Sequence, residues 1–282
     1  MDSKIYGGVG AKEVITFQTK IMMGAQFRRI VWAKEHVAES LCDRQNEILV
    51  ACLRMGWNDA FRHTSQNESG INDEKIGSKT VKGAVSSYVK KDKYKRNRFK
   101  LSKGKIIIES APEDFDDYFS EQVISNSNFL DVFKKYAKTA TDKQTVIDSE
   151  WKTLKDCFKG VKKLDGNKKL SAGHIQKMFN IAVKLYLCLY ICREELDLNN
   201  ELFIQNIIDN FANADCPIDS IILDELEQIE MQNEGEGEEY TSKYSKCVWS
   251  QLDAARYKDI QEDVKSKSNG NSNLWLDFNN WN

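Results

Sequence analysis

Proline is nearly absent from this chain: Pro112 and Pro217 are the only two in 282 residues. Long uninterrupted helices are therefore permitted, because few other residues break a helix so surely. Histidine is almost as scarce, and His36 and His63 stand isolated on a long helical pattern and its exit. Long apolar runs are lacking too, since the longest, Leu185 to Cys192, is far shorter than a bilayer requires. No basic, apolar and small-residue succession marks a secretory leader, so the expectation is an intracellular, cytoplasmic protein with no membrane partner. The seven cysteines (Cys42, Cys52, Cys157, Cys188, Cys192, Cys216, Cys247) are odd in number and scattered. They suit reduced core thiols rather than a disulfide frame.

Catalytic signatures are missing as well. There is no Gly-x-Ser-x-Gly, no phosphate loop, no Rossmann glycine pattern and no His-Glu-x-x-His. Gly7-Gly8-Val9-Gly10 precedes a strand-like stretch rather than opening a helix. Glu150-Trp151-Lys152 has the Glu-x-Lys spacing of metal-dependent nucleases, but on a helical pattern where such enzymes need a strand. No cofactor is implied, and the enzyme reading is disfavoured.

What is present is charge, strongly segregated beneath a net charge of −2. Between Lys82 and Lys105 stand Lys82, Lys90, Lys91, Lys93, Lys95, Arg96, Arg98, Lys100, Lys103 and Lys105 against the single acid Asp92. Tyr88, Tyr94 and Phe99 are interleaved, and such a mixture suits phosphate contacts with occasional base stacking. It equally suits a solvated hairpin whose lysines discourage edge pairing. The sign then reverses: Glu109, Glu113, Asp114, Asp116, Asp117 and Glu121 follow with no base between them. Asp224 to Glu239 adds further acids. Opposed patches on one chain favour self-association or docking to a charged partner, and an acidic surface can occupy a groove built for phosphate. The binding candidates are therefore Lys90, Lys91, Lys93, Tyr94, Lys95, Arg96, Arg98 and Lys100, with Glu113, Asp114, Asp116 and Asp117.

Residues 13 to 23 are rich in β-branched and aromatic types and predict a strand. From Gln26 the spacing is helical, with Gly56 ending or bending that helix, and residues 64 to 80 read as a loop. Residues 81 to 109 read as a β-ribbon turning at Ser102-Lys103-Gly104-Lys105. After Pro112 the pattern is helical. Phe129, Leu130, Val132, Phe133 and Tyr136 form one face, and Ile147, Trp151, Leu154, Phe158 and Val161 another. A helix starts near Ser171. Another starts at Pro217 behind a cap at Asp215 or Cys216, with Ile218, Ile221, Ile222, Leu226 and Ile229 inward. Ser266 to Asn273 reads as a flexible linker, and the aromatic tail from Leu274 to Asn282 should dock on this chain or on a partner. The predicted fold class is α+β. An α/β part with a long helix and a charged ribbon covers 1–125, and a helical module with a docked tail covers 126–282.

The helix near Ser171 carries a thin polar line, His174, Lys177, Asn180 and Lys184, among Ile175, Phe179, Ala182, Val183, Tyr186 and Leu189. A buried lysine must snorkel outward or find an anion, and Asp219 and Asp253 are the plausible anions. The set is either a small pocket, with His174 as acid or base and a lysine holding an anion, or a polar clasp that fixes helix register. The clasp is favoured, because structural ion pairs outnumber active sites. Cys188 and Cys192 share this helix with His174, but no fourth ligand presents itself for zinc.

The block Gly-His-x-Gln-Lys-x-x-Asn at 173 to 180, Cys-Pro-Ile-Asp-Ser-x-Ile-Leu at 216 to 223 and Trp-Ser-x-x-Asp at 249 to 253 is similar to a recurring pattern. That pattern belongs to prokaryotic and phage proteins with a helical C-terminal half. The resemblance covers about residues 170 to 282 and implies no established reaction. The lysine- and asparagine-rich style also resembles phage proteins. By analogy this implies an accessory protein that opposes bacterial defence, such as an inhibitor of Gabija-type complexes. The expected function is a non-enzymatic, oligomeric interaction protein that binds a defence complex and blocks its access to nucleic acid. The alternative is a nucleic-acid-binding or -processing protein using the ribbon and the cluster of His174, Lys177, Asp219 and Asp253.

Overall fold

The computed structural model describes residues 15–16, 18–20, 23, 30, 41–60, 100–102, 105–107, 123–124, 126–140, 142–158, 170–234, 242–268 and 270–280. Its centre is a helix that is apolar around nearly its whole circumference, and such a helix has to be enclosed on all sides. To name it in order, the helices are α1 (Leu41–Ala60), α2 (Ser127–Lys138), α3 (Lys143–Ser149), α4 (Trp151–Cys157), α5 (Ala172–Ile191), α6 (Gln205–Ile208), α7 (Ser220–Glu234), α8 (Ala254–Lys267) and α9 (Asn273–Asn280). The central one is α5. It starts cleanly because the Ser171 side chain accepts a hydrogen bond from the His174 backbone N–H.

Two apolar packs enclose α5. The first joins Met23, Ile48, Leu49 and Leu53 to Phe129, Phe133, Phe158, Phe179 and Tyr186. Phe179 is its hub, with the rings of Phe129, Phe133 and Tyr136 at 5.5, 5.1 and 5.1 Å. The second joins Ile218, Ile222 and Leu226 to Trp249, Leu252, Tyr257, Ile260, Val264 and Leu276. The first pack contains residues from both sides of position 125, so the two sequence-defined parts share one core.

Helix α1 makes the most extensive contact with α5, and a glycine allows it. A Cβ on Gly56 would collide with the Met178 carbonyl. Gly56 therefore does not end the helix; it lies inside α1 where that helix passes against Met178 of α5.

The expected α+β class is overturned: the described part is 75% helical. The sole extended pairing among the described residues is a short hairpin, β1 (Lys100–Ser102) against β2 (Lys105–Ile107). Two strands of this length cannot carry a sheet layer. The strand expected at 13 to 23 is also corrected, since Ile15, Thr16, Gln18, Thr19, Lys20 and Met23 are helical. Thr16, Thr19, Met23 and Ile30 are all buried. Their spacing of three, four and seven puts one helical face inward, which outweighs β-branched composition.

Three smaller expectations change. Helix α7 begins at Ser220, not Pro217, and its cap is Asp219, whose Oδ1 accepts from the backbone N–H groups of Ile221 and Ile222 at 3.0 and 3.1 Å. Ile221 is an exposed residue rather than part of the inner face. The expected linker at 266 to 273 holds a tight turn, where the wholly buried Ser268 donates to the Val264 carbonyl at 2.8 Å. The tail docks on this chain: α9 buries Leu274, Leu276 and Asp277. The loop at 64–80 lies outside the described residues.

Candidate functional site

The polar line of α5 lies along the seam between the two packs. Lys177 is 3% exposed, and its Nζ is 2.9 Å from Asp59 Oδ2 on α1. Asp219 Oδ2, at the start of α7, is a longer second partner at 3.8 Å. The same ammonium sits 4.3 Å from the centroid of Trp249, a desolvated cation–π contact. Of the two anions expected from sequence, Asp219 joins the lysine and Asp253 does not. Asp253 is exposed and caps α8, its Oδ1 accepting from Arg256 N–H at 2.8 Å. Asp59, the nearer partner, comes from α1.

One helical turn earlier, His174 Nδ1 lies 2.7 Å from Ser171 Oγ. A serine beside an imidazole is the pairing of a nucleophile with its base, but the hydrogen bonds here assign other work. Ser171 Oγ donates to the Ser250 carbonyl at 2.7 Å and accepts from the His174 backbone N–H. Its single proton is thus committed, and the network assigns Nδ1–H of His174 as the donor to Oγ. The imidazole also meets Trp249 edge to face at 5.5 Å.

Asn180 satisfies every polar atom it has. Its Oδ1 accepts from Tyr136 Oη at 2.7 Å, and its Nδ2 donates to Tyr257 Oη at 2.5 Å and to the Cys216 carbonyl at 3.3 Å. Lys184 closes the line with Asp277 Oδ2 at 2.5 Å. The polar line therefore reaches α1, α2, the 216–219 segment, the Trp249 turn, α8 and α9. That geometry is a fastening with six attachment points.

The segments Gly173 to Asn180, Cys216 to Leu223 and Trp249 to Asp253 meet here. Gly173 donates to the Leu252 carbonyl at 3.2 Å, and a Cβ on it would strike the Trp249 carbonyl. Lys177 reaches Asp219, and Asn180 reaches Cys216. Gly173, Lys177, Asn180, Cys216, Asp219 and Trp249 are thus joints of one packing arrangement.

Other sequence candidates find structural roles. Glu150, of the nuclease-like Glu-x-Lys, pairs with Lys135 at 2.7 Å. That pairing holds its carboxyl below the usual range. Cys188 and Cys192 face Thr19 and Thr16, and burial pushes the Cys188 thiol up to about 11. No group of three or more potential metal ligands occurs among the described residues. No described helix is long and apolar enough to cross a membrane. The binding candidates Lys90, Lys91, Lys93, Tyr94, Lys95, Arg96, Arg98, Glu113, Asp114, Asp116 and Asp117 lie outside the described residues, and Lys100 is described only as the first backbone position of β1.

Sequence reasoning missed a second polar locus. A cavity of about 290 Å³ opens between the start of α3, the 212–215 segment and α8. Lys143, Gln144, Gln176, Asp215, Tyr257 and Gln261 are on its wall. Asp215 is half-buried, and desolvation lifts its pKa from 3.8 to about 6 against the opposing pull of Lys143 and the Tyr136 hydroxyl. Burial likewise pushes the Lys143 ammonium down and the Tyr136 and Tyr257 phenols up. Gln176 stands beside Ile175 and close to Met178 and Phe179 in sequence, a signal that could have flagged it; Gln144, between Lys143 and Thr145, gives none.

No protein-family description, curated protein or solved structure matches this chain.

Proposed function

We propose that this chain is a non-enzymatic interaction protein that binds a protein complex through residues 82–105 and 109–121 and keeps nucleic acid away from it. The observation that carries this reading is the segregation of charge: Asp92 is the only acid in the first stretch, and the second has acids without a base. A run of carboxylates can occupy a groove shaped for phosphate, while the neighbouring cations fix orientation against an acidic rim. The polar line of α5 supports the same reading from the other side. His174, Lys177 and Lys184, the groups that could act as acid, base or anion holder, are engaged within the fold.

The resemblance to phage proteins narrows the partner to a bacterial anti-phage defence nuclease of the Gabija type, met in the host cytoplasm, with this chain acting as an oligomer. The test is a competition in which a purified Gabija-type complex holds labelled duplex DNA and this protein is titrated in. DNA should be released at near-stoichiometric protein. Reversing Glu113, Asp114, Asp116 and Asp117 to lysine should abolish the release. DNA that stays bound contradicts the proposal.

A second reading rests on Tyr88, Tyr94 and Phe99 among the cations, which suits direct binding of single-stranded nucleic acid. It requires the isolated protein to bind an oligonucleotide with an affinity that falls steeply with salt. That result in the absence of the complex would favour it over the inhibitor.

A further inference from the structure

Helix α7 carries apolar side chains on two sides. Ile222, Leu223 and Leu226 pack inward, while Ile221 and Met231 are 46% and 55% exposed. Ile221, Asp224, Gln228 and Met231 are all exposed and are spaced by three, four and three residues. They therefore share one outer face over about 15 Å of helix. The carboxylates beside that stripe are unused. Glu230 is engaged within the fold, its Oε2 accepting from Ser242 Oγ at 2.6 Å and from the Lys243 backbone N–H at 3.2 Å. The side chains of Asp224, Glu225 and Glu227, in contrast, take no ion pair or hydrogen bond from any described residue.

The sequence explains why these acids stand alone. From Glu194 to Ser242 there is no lysine, arginine or histidine. Lys243, the first cation after that stretch, is committed to Asp263 at 2.9 Å. The outer face of α7 thus suits a partner that brings cations together with aromatic groups, the cations for its carboxylates and the rings for Ile221 and Met231. This chain contains a segment of that composition. Between Lys90 and Lys100 seven cations stand with Tyr94 and Phe99 against the single acid Asp92. The face is open on the single chain, so its occupant comes from outside, and a second copy brings the matching charge.

We propose that the outer face of α7 receives the stretch from Lys90 to Lys100 of a second copy of this chain. The proposal rests on the oligomeric reading given above and names the surface that joins the copies. A two-fold axis satisfies both halves at once: each copy presents α7 to the basic stretch of the other, and the contact closes as a dimer. The acidic stretch at 109–121 takes no part in this exchange and is left for the defence complex.

The experiment is size-exclusion chromatography with light scattering of the full chain at low and high salt. A dimer should be present at low salt and dissociate as salt screens the contact. One variant carries Asp224→Lys and Glu227→Lys, and the other carries Lys93→Glu, Lys95→Glu and Arg96→Glu. Each alone should self-associate about tenfold or more weakly, because like charges then face each other. Mixed in equal amounts, the two should recover the dimer, since the reversed α7 of one copy meets the reversed stretch of the other and the unaltered halves also meet. If the α7 variant fails to fold, Met231→Ser, at an exposed position, carries the comparison and should weaken the dimer too. A chain that is monomeric at low salt overturns the proposal and leaves this face to a different protein. Variants that stay dimeric alone overturn it as well, and so do variants that stay monomeric when mixed, which would place the contact within one chain. DNA release from the Gabija-type complex is measured separately: its failure with a salt-sensitive dimer intact counts against the proposed function and not against this surface.

Discussion

Lys184 Nζ on α5 lies 2.5 Å from Asp277 Oδ2 on α9, and both side chains are nearly enclosed. This pair ties the last described helix to the centre of the molecule. Breaking a buried pair by removing one partner strands the other charge, at a cost of about 3–5 kcal/mol. Asp277→Ala should therefore lower unfolding stability by about 3 kcal/mol in urea titrations. Replacing both residues with apolar ones of similar size should recover most of that loss.

Gly56→Ala should destabilise by about 1–3 kcal/mol, the range for an overpacked core. The added methyl meets the Met178 backbone carbonyl rather than a movable side chain, so α1 has to shift bodily from α5. Melting midpoints of the variant and the unaltered chain check this, since a gain in helix propensity alone would raise the midpoint.

Asp253→Ala should cost about 1 kcal/mol, the usual value of an N-cap. Asp253→Asn should be close to neutral, because an amide oxygen caps as well. If Asp253 belonged with Lys177, the asparagine variant would lose as much as the alanine variant in the same denaturation assay.

The raised pKa of Asp215 fixes the sign of one pH effect. Its folded value of about 6 lies above the ordinary 3.8, so between those values the folded state holds more protons than the unfolded chain. Stability from this group is complete below about pH 4 and is lost as pH rises through about 6. The facing groups are Lys143, Tyr136 and Tyr257; burial keeps the tyrosines neutral through this window, and Lys143 opposes the shift. Asp215→Asn should raise stability near pH 8 by on the order of 2 kcal/mol and flatten the profile between about pH 4 and 7. Thermal melts across that range check both.

Where a helix buries one regular face, the sequence spelled it out. Phe129, Leu130, Val132, Phe133 and Tyr136 are all buried on α2, as their spacing requires. The stretch at 13 to 23 was misread because its β-branched residues look like a strand, while the burial of Thr16, Thr19 and Met23 follows a helical period. Partnerships across the fold were the least legible. Nothing local connects Asp59 to Lys177 or Asp277 to Lys184; those pairings exist only once α1, α5 and α9 are packed. The cavity is hidden for the same reason, since Lys143, Gln176 and Asp215 come from three separate segments. Asp253 shows the opposite failure: its position ahead of Ala254 and Ala255 is a legible helix cap, overlooked in favour of a long-range role.

The central claim is that the polar line of α5 holds the molecule together while the charged segments do its work. The most direct test measures stability and release of DNA from the Gabija-type complex side by side for two variants. His174→Ala should lower the melting midpoint, by the equivalent of about 1–2 kcal/mol, and leave the release of DNA intact once the protein is folded. The triple charge reversal of Lys93, Lys95 and Arg96 to glutamate should do the reverse, keeping the midpoint and losing the release. A His174→Ala protein that melts like the unaltered chain but has lost all activity would contradict the account.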